Sequence, residues 1–145
     1  PIMNLRCAGA SQLGTFVNEN RIRLENTDST TKAVVIPARA DFSKYAKEDA
    51  LFVLITKHYN NHRIFRNCYG HTSTIMGSTK LTIEHDVRLW DIAASRVLLE
   101  DAGGKYAVLR RLDLAPDEQA YSIAFGVPCV VDQVVHLLQP LYANR

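Results

Sequence analysis

Residues Trp90 to Gly104 read WDIAASRVLLEDAGG, and they constrain the fold more than any other stretch of the chain. Trp90, Ala93, Ala94, Val97 and Leu98 recur at helical spacing, and two glycines follow. That pattern predicts an amphipathic helix whose apolar side, including Trp90, is buried, with Gly103-Gly104 as its stop signal. On either side lie strand patterns. Lys80 to Glu84 alternates Leu81 and Ile83 with polar neighbours, and Tyr106–Leu109 and Tyr121–Phe125 read as two more strands around a loop holding Pro116 and Asp117.

Upstream, GTFVNENRIRL from Gly14 to Leu24 predicts a hairpin turning at Asn18-Glu19-Asn20. Ala33 to Ile36 is short and β-branched, as a buried strand would be. Asp41 is placed to cap a helix from Phe42 to about His58, with Tyr45, Leu51, Phe52 and Ile55 on its apolar side. Ile64-Phe65 suggests a brief strand, and after Tyr69-Gly70 the pair Thr72-Ser73 marks the start of a short helix. A last helix is expected from about Val131 to Tyr142, ended or kinked by Pro140. Strands alternating with helices predict an α/β layered domain, with a mostly parallel or mixed sheet of about five strands flanked by helices.

At 145 residues with 47% hydrophobic and 22% charged positions, one globular core is expected. The 17 basic and 15 acidic residues leave a formal charge of +2, too small to point to nucleic acid as a partner. No apolar run approaches the roughly 20 residues that cross a bilayer, so no membrane partner is expected either. Three cysteines, Cys7, Cys68 and Cys129, fit neither a disulfide framework nor a paired zinc site, and a reducing cytoplasmic location is the simpler reading. Cys68 lacks a phosphate-cradling loop and a following arginine, so it is expected to be a buried thiol rather than a nucleophile. The chain opens at Pro1, which suggests that a segment precedes it.

The segment Trp90 to Gly104 resembles the carboxy-terminal signature of the inositol monophosphatase family: an aromatic residue, an aspartate, small residues, an apolar run and Gly-Gly. PIMNLRCAGASQLGTFVN at the start is similar to the family's entry into its second domain, with Thr15 where alanine is usual and Glu19 where the last glycine is usual. Arg66 to Thr72, RNCYGHT, resembles the family's Arg-x-x-Gly-Ser/Thr segment, although Arg66 stands one position further from Gly70 and the interval from Gly70 to Asp91 is shorter than in the family. The resemblance covers residues 1 to about 110 and implies that the chain, 1–145, is the carboxy-terminal domain of such a phosphatase, with an amino-terminal metal-binding domain absent.

What the resemblance implies is a magnesium-dependent phosphomonoesterase acting on inositol monophosphate or a related small phosphate ester. Asp91 would be a metal ligand for Mg2+, a type of oxygen donor that hard divalent ions prefer. The alternative is that Asp91 only caps its helix. Glu84 would accept hydroxyl hydrogen bonds from the substrate, with Asp86 as a neighbouring competitor, and Gly70, His71 and Thr72 would approach the ligand. His71 could serve as a general acid or a ligand contact, or be a loop histidine; His58, His62 and His85 carry the same ambiguity. The family's acidic Asp-Pro-x-Asp-Gly-Thr motif does not occur between Pro1 and Arg145, so the isolated chain is expected to be inactive. The absent domain and a second copy in a homodimer are the candidate protein partners. A degenerate binding or assembly module of the same fold is the competing reading.

Overall fold

In the computed structural model, residues 4–42, 49–65, 68–115 and 118–143 are described. The Tyr45 position, Arg66 and the Pro116-Asp117 loop lie outside them. The elements run β1 (Cys7–Ala10), β2 (Gly14–Val17), β3 (Asn20–Ile22), β4 (Val34–Ile36), α1 (Arg39–Phe42), α2 (Asp49–His58), β5 (His62–Ile64), α3 (Cys68–Ile75), β6 (Leu81–Val87), α4 (Leu89–Asp101), β7 (Lys105–Ala115), β8 (Glu118–Gly126) and α5 (Pro128–Ala143).

Five strands form a mixed sheet in the order β5-β4-β6-β8-β7. β4 pairs parallel with β5 and β6, whereas β8 pairs antiparallel with β6 and β7. Period-two alternation sends Leu81 and Ile83 to one side of β6, into a core with Val34, Leu51, Ile55, Val130 and Val134 under α2 and α5. Ile123 and Phe125 of β8 face the other way, into a second core with Ile75 of α3 and Ile92 and Leu99 of α4. This is the layered α/β domain expected.

A separate three-stranded antiparallel sheet, β1-β2-β3, packs beside α4. Its β2–β3 hairpin turns at Asn18 and Glu19, both at positive φ (47° and 72°), which explains why a glycine would suit position 19. Thr15 is buried, and its hydroxyl donates to the Leu98 carbonyl, so this departure from the family pattern ties the small sheet to α4.

Helix α4 ends as its glycines predict. Gly103 takes φ +89°, its N–H donates to Glu100 O (3.0 Å), and Gly104 N–H reaches back to Leu99 O (2.9 Å), the paired bonds of a Schellman motif. The buried side is not the expected one. Ile92, Leu99 and Ala102 are buried, while Trp90 is 75% exposed and Ala93, Ala94 and Val97 are also exposed. The helix carries apolar residues nearly all round, so spacing alone could not choose between the two sides.

Three boundaries differ from expectation. Asp41 lies inside α1, so a helix starts before it rather than after it. α3 begins at Cys68, and within it the Thr72 hydroxyl bonds back to the carbonyls of Cys68 (2.9 Å) and Tyr69 (3.2 Å) instead of capping a new helix. α5 runs through Pro140, which falls in its last turn, where little helix remains to disrupt.

The inverted face of α4 is directly testable by urea unfolding. Ile92→Ala should cost about 2–5 kcal/mol by emptying core volume. Trp90→Ala should stay within about 0.5 kcal/mol. The reverse ranking would return the buried side to Trp90.

Candidate functional site

The carboxyl ends of β4, β5 and β6 open together, and beyond them lies a cleft of about 460 Å³. Clefts at this end of a strand set are the usual ligand positions in α/β sheets. Pro37 follows β4, Phe65 follows β5, and Glu84 through Val87 come from the last half of β6; α1 contributes Asp41, α3 contributes Cys68 and His71, and α4 contributes Asp91.

Glu84 sits on the α3/α4 side of β6 and is 7% exposed. Beside it His71, 3% exposed, brings Nε2 to 3.4 Å from Glu84 Oε1 and Nδ1 to 2.8 Å from Ser95 Oγ on α4. The ring stands edge-on to Phe125, with centroids 5.0 Å apart. His85, one residue on, points to the opposite side of the strand: its Nδ1 is 2.8 Å from the buried Ser122 hydroxyl and its ring stacks on Phe42 at 4.9 Å.

After Glu84 the ladder with β8 is interrupted by a bulge, and Asp86 adopts φ +58°. A bulge of this kind re-aims a strand end, and a non-glycine residue held in the left-handed region stores strain. Arg88 spans the turn that follows. Its Nη1 donates to Asp86 Oδ1 (2.9 Å) and its Nε to Glu118 Oε1 (2.9 Å), which raises the guanidinium pKa, through Asp86 first and Glu118 second.

Asp91 occupies the third position of α4. Its Oδ2 accepts the Arg88 backbone N–H at 2.8 Å, closing the helix start where partial positive charge accumulates. Among the described residues no hydrogen bond occupies Oδ1. The carboxylate therefore caps the helix and lines the cleft at once.

Of the residues anticipated from sequence, the cleft joins Glu84, His71 and Asp91. Gly70 and Thr72 are placed differently. A side chain at Gly70 would meet Val35 Cγ1 at 2.9 Å, so the glycine lets α3 settle onto the sheet, and the Thr72 hydroxyl is taken up by its own helix. Cys68 is exposed at the cleft rim rather than buried, and all three cysteines are free thiols. His58 is exposed, and His62 Nδ1 lies 2.9 Å from the Tyr59 carbonyl. Ser95 was not anticipated, and Asp41 was expected only as a helix cap, not as a cleft residue. Neither carries a local signature, because each becomes relevant only when separate elements meet in space.

Whether these groups suit a divalent cation depends on donor number. Asp91 offers one hard oxygen, but among the described residues no three His, Cys, Asp or Glu side chains converge on a common point. Magnesium keeps most of its waters unless several anionic oxygens meet. The described residues thus fit one corner of a magnesium site and not a complete one.

The capping role makes its own prediction. Asp91→Ala should lower the unfolding free energy by about 0.5–1 kcal/mol, with Asp91→Asn costing less, in chemical denaturation. An unchanged midpoint for Asp91→Ala would show that the bond to Arg88 contributes nothing.

The sequence profile of the inositol monophosphatase family matches residues 1–122. No curated protein matches the sequence significantly. Solved structures do match in fold. Inositol monophosphatase II from Staphylococcus aureus aligns with a TM-score of 0.80 at 14% identity, over 96% of this chain and 52% of that one. The inositol monophosphatase of Anabaena (Nostoc) gives 0.77 at 21% identity, over 97% and 58%. That of Thermotoga maritima gives 0.74 at 18% identity, over 98% and 54%. At these identities the likeness speaks to the fold, and the chain spans about half the length of these structures. With a family profile covering most of its length and the matching fold, the chain belongs to the inositol monophosphatase family.

Proposed function

We propose that this chain is the substrate-side half of a magnesium-dependent phosphomonoesterase acting on inositol monophosphate or a related small phosphate ester. The observation that carries this reading is the convergence of Glu84, His71 and Asp91 in one cleft at the carboxyl ends of the strands. Staphylococcal inositol monophosphatase II has been solved with inositol monophosphate bound and with 2′-AMP bound, which supports a small phosphate monoester as the substrate class.

In this reading Glu84 accepts hydrogen bonds from hydroxyls of the leaving alcohol and fixes its orientation. Asp91 presents its unoccupied oxygen towards the phosphoryl side, where it would be one of several ligands to Mg2+ and the others would come from an amino-terminal domain. When bound, such ions neutralise phosphate charge and activate water. Two observations support the need for that domain. The described residues lack a convergent set of metal donors, and α4 presents Leu89, Trp90, Ala93, Ala94 and Val97 outward as apolar surface. Large exposed apolar patches are normally covered by a partner.

Phosphate release from a panel of monoesters, with and without magnesium, tests the reading. The 145-residue chain should be inactive, and the chain joined to its upstream coding sequence should turn over. There Asp91→Asn should reduce kcat by about 100-fold or more, and Glu84→Gln should raise KM by about tenfold. Turnover by the isolated chain that Asp91→Asn abolishes would overturn the half-site reading. Inactivity of both proteins would favour a binding or assembly module.

A further inference from the structure

His71 was expected to touch the ligand; it lines the cleft, but both its ring nitrogens are turned to protein groups. The side chain is buried: Nδ1 is hydrogen-bonded with Ser95 Oγ at 2.8 Å, and Nε2 lies 3.4 Å from Glu84 Oε1, an ion-pair distance rather than a hydrogen bond. Phe125 closes the ring on a third side. A proton on Nε2 lets that nitrogen face the carboxylate oxygen without two acceptors repelling, and this tautomer is the one proposed here. In that tautomer Nε2–H lies on the Glu84 side, and Nδ1 accepts from the Ser95 hydroxyl.

Ser95 lies one turn after Asp91 on α4, and Glu84 is on β6. The chain Ser95–His71–Glu84 therefore links the helix that carries the proposed metal ligand to the strand that carries the proposed hydroxyl acceptor. We propose that His71 is a positioning residue: anchored by Ser95, it holds Oε1 of Glu84 so that the other carboxylate oxygen is presented to a hydroxyl of the substrate. A carboxylate held in one orientation loses less rotational freedom when the hydroxyl arrives. It also selects for alcohols that place a hydroxyl at that one oxygen, which makes Ser95 and His71 determinants of specificity although neither contacts substrate. This inference rests on the assignment of Glu84 to the substrate hydroxyls given above.

The test separates the two claims. In the free 145-residue chain, nitrogen NMR of the His71 ring should report the Nε2–H tautomer. Glu84→Gln should shift Nε2, and Ser95→Ala should shift Nδ1 or scramble the tautomer, while Ser95→Thr, which keeps the hydroxyl, should restore the wild-type pattern. Ring nitrogens that ignore both Glu84→Gln and Ser95→Ala would overturn the positioning role whether or not ligand binds. In titrations of the chain joined to its upstream coding sequence with myo-inositol 1-phosphate and Mg2+, His71→Asn and Ser95→Ala should each weaken binding by about tenfold, with Ser95→Thr near wild type. Unchanged affinity in His71→Asn would overturn it as well. Should the longer protein take up inositol phosphate equally well with Glu84→Gln while the ring nitrogens respond as described, the geometry of the brace stands and the substrate assignment of Glu84 falls.

Discussion

Helix α4 is clamped from two sides, and the placement of the cleft residues follows from that clamp. Ile92, Leu99 and Ala102 are buried on the side of the five-stranded sheet, while from the other side the Thr15 hydroxyl grips the Leu98 carbonyl, Gln12 N–H bonds the Asp101 carboxylate and Leu24 N–H bonds the Ala102 carbonyl. The paired bonds from Gly103 and Gly104 stop the helix at one residue, and β7 begins directly afterwards. With the carboxyl end fixed in this way, the rotation and height of the amino end are fixed too, because a helix of 13 residues transmits both rigidly.

The cleft inherits its geometry from that constraint. Asp91 is placed by the helix start, Ser95 by the next turn, and His71 by α3 packing close to the sheet through Gly70. The β6 bulge at Asp86 then turns the strand away beyond Glu84, and Arg88 pins the turn between Asp86 and Glu118. Local strain at Asp86 and a three-residue polar chain are the sort of features retained where positions of side chains matter more than stability.

Much of this was legible in the sequence, and what was not has identifiable causes. The Gly-Gly stop and the strand alternation at Leu81 and Ile83 are strong local signals, and the sheet follows from them. The face of α4 was not legible, because Trp90, Ala93 and Val97 compete with Ile92, Leu99 and Ala102 on apolarity alone. β1 was missed because Cys7-Ala8-Gly9-Ala10 holds no β-branched or aromatic residue. The α3 start was displaced because Thr72 reads equally as a cap or as a hydroxyl bonding back within its helix. Glu84 and Asp91 could be found by their spacing within the family pattern, whereas Ser95 needs the tertiary contact with His71 to be noticed at all.

The Asp91 carboxylate caps α4 and lines the cleft, and its second oxygen is proposed to bind a cation there. Paramagnetic broadening by millimolar Mn2+, read residue by residue in the amide NMR spectrum of the 145-residue chain, tests it most directly. Weak broadening centred on Asp91 and spreading to Glu84 and His71, lost in Asp91→Asn, is expected. Broadening centred elsewhere, or unaltered by that substitution, would contradict it.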